Sequence, residues 1–216
     1  LVIAFTGLPA ARWLGDHLDT QEFGFVDERL RGDLLKWLVT GVLIAYVIGV
    51  ERESVRSLGA TLPRKFPVGG MDQVTGLLAW WVSGVVATIV LSTIVYNLFR
   101  HYNLSTQDEF ATDQATRPLP ALLFTAVTAG VTESLLYQAY PIEHIAALSG
   151  SVIAAGFISW LVFTLGHYVS GRFSLQETAF TSAPALVVTV VYVLSGSVYA
   201  VIFVHGTLNV LSFLSQ

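Results

Sequence analysis

Cysteine is absent from the 216 residues. That excludes disulfides, thiolate nucleophiles and Cys-rich metal sites together, and leaves any metal to histidine, asparagine and carboxylate. Charge is scarce as well: Asp, Glu, Lys and Arg make up 12% of the chain, with a net charge of -4, and they lie almost wholly in the connections between apolar runs. No basic face remains for nucleic acid, which is therefore not an expected partner. Apolar residues fill the rest. The chain is 54% hydrophobic with a mean hydropathy of +0.66, far above an ordinary soluble domain. This composition predicts an all-α, polytopic integral membrane protein surrounded by membrane lipid, in the cell membrane if the source is prokaryotic.

Runs of bilayer length predict six spans: Leu34–Val50, Val74–Phe99, Pro120–Tyr140, Ile145–Val169, Thr181–Leu194 and Val198–Leu214. The run Leu1–Leu14 is short and holds Pro9 and Arg12; it reads either as the end of a truncated span or as an interfacial helix. The expected architecture is a membrane helical bundle of about six to eight spans with an intramembrane polar cavity. The run at Leu1 has no basic leader and no clear cleavage site, so it is not read as a signal peptide, and further residues are expected upstream. Residues 1–118 are expected to form an N-terminal membrane-spanning part with polar loops, and 119–216 a core, within one membrane domain.

Lys36 and Trp37 read as headgroup-level residues at the start of the first full span. Alternation places Arg29, Arg31, Lys36, Arg100, Arg117 and Arg172 on one side, which the basic excess favours as cytoplasmic. A break is expected at Pro141-Ile-Glu143-His144. Beyond it, Ala146, Gly150 and Ala154 form a small-residue stripe suited to close helix packing.

The stretch Pro120–Tyr140 carries one ionisable acid, Glu133. A carboxylate at membrane depth costs at least a few kcal/mol, so it persists where it faces protein or water and has a use. Thr125, Ala129, Glu133 and Tyr137 share a helical stripe, with Ala126, Gly130 and Ser134 beside it, and small residues there admit neighbouring helices. Two histidines, His167 and His205, also sit in apolar runs. His205 and Asn209 lie one turn apart on one face. Together these groups can bind and activate a water, either around a divalent metal or with Glu133 as general base and the others as donors to an oxyanion. Each residue alone has a plainer reading: a buried histidine bonded to a carbonyl, or a carboxylate that packs helices or conducts ions. His17, His101 and His144 lie in or beside connections and read as solvated.

Thr132-Glu-Ser-Leu-Leu-Tyr-Gln-Ala-Tyr140 resembles the Glu-Glu-x-x-x-Arg motif of the CAAX prenyl protease and bacteriocin-processing family of intramembrane endopeptidases. Phe163-x-x-x-His167 resembles that family's second motif and His205-x-x-x-Asn209 its third; Tyr192-Val-Leu-Ser-Gly-Ser197 resembles its approach to the third. The similarity covers about residues 119 to 214. Two positions depart from it, with Ser134 in place of the second Glu and Gln138 in place of the Arg.

The resemblance implies that Glu133 activates water while His167, His205 and Asn209 hold the water or a metal and the oxyanion. Zinc on Glu133, His167 and His205 is one form that this takes, and prenylated CAAX tails or bacteriocin-type peptides are the implied substrates. Two rivals stay open: a non-catalytic pseudoprotease scaffold that binds a lipidated partner, favoured by the altered first motif, and an ion- or proton-coupled transporter using Glu133. Depth raises one conflict. Counted from a break at Pro141, His167 falls roughly 15 Å from the level of Glu133 and His205.

Overall fold

Inside a bilayer a backbone must bond to itself, so long apolar runs become helices. The computed structural model describes residues 1–17, 28–63, 72–102, 118–169 and 175–214, and among them no strand occurs. The helices are α1 (Val2–His17), α2 (Glu28–Gly49), α3 (Gln73–His101), α4 (Leu119–Ser149), α5 (Val152–Val169), α6 (Leu175–Ser195) and α7 (Val198–Leu214). The connections 18–27, 64–71, 103–117 and 170–174, and the side chain of His17, lie outside the described residues.

Among the described residues, four stretches are long and apolar enough to cross a membrane: Leu30–Gly49, Gln73–His101, Leu119–Ser149 and Thr178–Ser195. Val2–Ala11, Val152–His167 and Val198–Leu214 are shorter apolar helices. On α3, Val82, Val86, Val90 and Ile94 recur every fourth residue and are each about half exposed. In water such a stripe would be a liability; in lipid it is an ordinary outer face. The protein is an integral membrane helical bundle.

Helix α4 differs from the expected break at Pro141. Its first part, Leu119–Glu133, is α-helical; Ser134–Ala139 is a π-helical turn; and Tyr140–Ser149 returns to α-helix. Proline lacks the N–H that would bond four residues back, at Tyr137, and its ring crowds that carbonyl. The wider π turn absorbs the misfit. The Tyr137 carbonyl accepts a hydrogen bond from Ser159 Oγ of α5 instead, so the backbone stays satisfied without breaking.

The chain turns at Gly150, whose φ of 71° is the left-handed cap that glycine adopts without strain. Its N–H bonds to the Ala146 carbonyl at 2.8 Å. Gly150 therefore ends one helix, and Ala146, Gly150 and Ala154 do not form a stripe on a single one.

The core lies where α3, α4, α5, α6 and α7 meet, around Trp80, Ile142, Ala155, Val188, Tyr192 and Val201. A second cluster joins α1 and α2 to α4 through Ala4, Leu43, Leu136 and Tyr140. Helices α4 and α7 approach closely at a glycine pair: a Cβ on Gly130 would lie 3.1 Å from the Gly206 backbone. Gly206 follows His205, so this contact brings α7's histidine to the level of Glu133.

Candidate active site

Glu133 is the last α-helical residue before the π turn and is 9% exposed. Its Oε1 lies 2.7 Å from Lys36 Nζ of α2, and its Oε2 lies 3.9 Å from His205 Nε2 of α7. The first distance is a charge-assisted hydrogen bond. The second exceeds hydrogen-bond range and is a spacing that a shared water can span.

His167 stands at matching height once the turn is placed correctly. Glu133 precedes Gly150 by 17 residues and His167 follows it by 17, so equal rise along α4 and α5 brings the two level. The depth conflict came from placing the break at Pro141. His167 Nδ1 lies 2.8 Å from the Phe163 carbonyl, and its ring packs on Phe163 with centroids 4.4 Å apart. Phe163 in turn meets His205 edge-on at 6.4 Å.

Asn209 is half-buried one turn beyond His205 on α7. The structure thus brings Glu133 and His205 together, sets His167 against the same Phe163 ring that His205 meets, and places Asn209 one turn along.

Lys36 is the residue that sequence reasoning missed. It had been assigned to the headgroup region, yet its ammonium reaches the intramembrane acid. A signal was present: Asp33, Lys36 and Thr40 recur at helical spacing on α2, and Asp33 and Thr40 are buried. Asp33 Oδ2 accepts from Thr125 Oγ1 at 2.7 Å, and Trp37 Nε1 donates to Thr128 Oγ1 at 3.0 Å. These contacts lock α2 against the segment of α4 that leads to Glu133.

Ser134 and Gln138 are fully buried, and among the described residues Ser134 Oγ, Gln138 Oε1, Thr164 Oγ1 and His205 Nδ1 have no hydrogen-bond partner. The two motif positions are therefore neutral and interior, and their unpartnered polar atoms carry a burial cost.

Among the described residues no three His, Asp or Glu side chains are grouped to hold a metal ion. An ammonium already engages Oε1 of Glu133. The zinc set Glu133, His167 and His205 does not fit these positions.

His144 departs from the solvated reading. Its Nε2 lies 3.0 Å from Glu51 Oε2 and its Nδ1 2.9 Å from the Tyr140 carbonyl. His101 is exposed at the end of α3, as its place beside a connection suggested. A groove of about 270 Å³, lined by apolar residues including Trp80, Leu91, Val187 and Val191, runs between α3 and α6 and does not include the Glu133 cluster.

No curated protein and no solved structure matches the chain. A family model does match, over residues 115–211, described as Rce1-like: type II CAAX prenyl endopeptidase Rce1-like. The matched stretch holds Glu133, His167, His205 and Asn209 and leaves Lys36 outside it. Residues 115–211 are thus similar to the Rce1-like type II CAAX prenyl endopeptidase family.

Proposed function

We propose that the protein is an intramembrane endopeptidase that hydrolyses a peptide bond near the membrane surface, with prenylated CAAX tails or bacteriocin-type peptides as the substrate class. The observation that carries this reading is a buried carboxylate with one oxygen facing His205 Nε2 across 3.9 Å, inside the matched stretch.

Hydrogen-bond bookkeeping gives the two histidines opposite roles. His167 Nδ1 faces a carbonyl acceptor and so carries the proton, which makes Nε2 the accepting nitrogen of the neutral ring. His205 Nδ1 is buried without a partner among the described residues. A hydrogen there would be an orphaned donor, the costlier kind of unsatisfied group, so the proton belongs on Nε2. His205 is then a donor toward Glu133, and His167 an acceptor.

A water held by Glu133 Oε2 and His167 gives one proton to Glu133 as its oxygen attacks the scissile carbonyl carbon. The carbonyl π pair moves onto oxygen, where His205 Nε2–H and the Asn209 side-chain amide donate to the oxyanion. Collapse re-forms the carbonyl and breaks the C–N bond. Glu133 returns its proton to the leaving amine, so the net reaction consumes one water.

The test is Glu133→Gln in reconstituted membranes with a quenched library of prenylated and unlipidated peptides. Gln keeps size and hydrogen-bonding capacity but takes up no proton at useful pH, so cleavage should fall about 1,000-fold with helical content retained. Undiminished cleavage would remove the mechanism. No cleavage by the wild type would favour the pseudoprotease, and ion flux stopped by Glu133→Gln the transporter.

A further inference from the structure

The Glu133 carboxylate needs a positive partner, because a charge this deep is held only when paired or solvated. Its neighbours on α4 supply none: Ser134 and Gln138 are neutral and buried. The positive charge comes from α2, which lies outside the stretch 115–211.

We propose that the resident cation of this site is the Lys36 ammonium, not a metal ion, and that Lys36 is its positioning residue. The ammonium fixes Oε1 and leaves Oε2 as the oxygen that faces His205 and takes the proton. The inference rests on reading Glu133 as the general base, and it makes α2 part of the site.

Three observations carry it. The Nζ–Oε1 distance is 2.7 Å, with the side chains 27% and 12% exposed, so the pair is sheltered at one end and open at the other. The helix that carries the lysine is held in advance, since Asp33–Thr125 and Trp37–Thr128 pin the same face of α2 to α4. Pinning of this kind reduces the entropy lost when a long side chain is placed. Finally, the described histidines and carboxylates are not grouped as metal ligands, while the oxygen that a cation would engage already has one.

The experiment uses the full chain in lipid nanodiscs with Lys36→Met, Lys36→Arg, Glu133→Gln and the double variant Lys36→Met with Glu133→Gln. If the pair is real, Lys36→Met lowers the melting temperature by about 5 °C, because it strands a carboxylate. The double variant recovers most of that loss. Lys36→Met should also lower kcat about 100-fold at unchanged KM, and Lys36→Arg should restore part of it.

Melting shifts that simply add would overturn the pairing, as would stoichiometric zinc in the wild type that Glu133→Gln abolishes. An unchanged kcat in Lys36→Met would overturn the positioning role. If the wild type cleaves no peptide, the reading of Glu133 as base fails separately, and the melting cycle still decides whether Lys36 is its partner.

Discussion

Helix α4 contributes to two clusters of carboxylate and histidine, and they are finished differently. At Tyr140 and His144 every oxygen of the Glu51 carboxylate is used: Oε1 accepts from the Tyr140 hydroxyl at 2.8 Å and Oε2 pairs with His144 at 3.0 Å. His144's other nitrogen faces the Tyr140 carbonyl, and the two rings stack with centroids 3.8 Å apart. At Glu133 one oxygen is engaged and the other faces a 3.9 Å gap, beside a histidine with an orphaned Nδ1. Closed networks rigidify a fold, whereas unfilled valences cost stability and are kept for chemistry. Residue type alone does not separate these clusters, since each holds one Glu and at least one His.

The comparison can be broken from either side. The largest expected effect is His205→Ala, which removes the donor facing the gap: kcat should fall about 100- to 1,000-fold while the melting temperature stays near wild type. Peptide cleavage and thermal melting on one preparation check both halves. Glu51→Gln should do the reverse, destabilising the protein by about 1–3 kcal/mol through the abandoned His144 and Tyr140 groups, with turnover per folded molecule unchanged. Loss of turnover at full stability there would erase the distinction.

Ser159→Ala should cost about 1–2 kcal/mol, because it removes the buried hydroxyl's hydrogen bond to the Tyr137 carbonyl. Denaturation in mild detergent reads this out. The smallest effect lies at the mouth of α3, where the Thr75 N–H bonds to Asp72 at 2.8 Å and holds that carboxyl below its usual range. A depressed carboxyl stabilises the fold above its unfolded value and ceases to do so as pH falls through its folded value. Hydrogen exchange at the first turn of α3 should therefore quicken only in that acid window, and Asp72→Ala should remove the pH dependence.

Much of the helix pattern was readable, because length and hydropathy decide which segments cross a bilayer. The candidates Glu133, His167 and His205 stood out as polar groups in apolar runs, and the small residue Gly130 marked a place of close approach. Lys36 was not readable in the same way. A lysine near the end of a span has two physical solutions, snorkelling to the headgroups or pairing inward, and only the packing of α2 on Thr125 and Thr128 chooses between them. Pro141 misled for a related reason. Local chemistry says that proline breaks a helix, and here a π turn, with Ser159 of another helix donating to the Tyr137 carbonyl, carries the helix through.

The π turn at Ser134–Ala139 sets a rule for insertions and deletions. Helix α2 is tied to α4 on both sides of it, by Lys36 to Glu133 before and by Glu51, just past its end, to Tyr140 and His144 after. A residue removed from the turn would rotate everything beyond it by about 100° relative to what comes before. Either Glu133 would keep its lysine or Glu51 its tyrosine and histidine, but not both. Chain length should therefore be fixed between Glu133 and Tyr140 even where side chains there drift, so that an alignment gap in these few residues would mark a protein whose two halves no longer share one gauge.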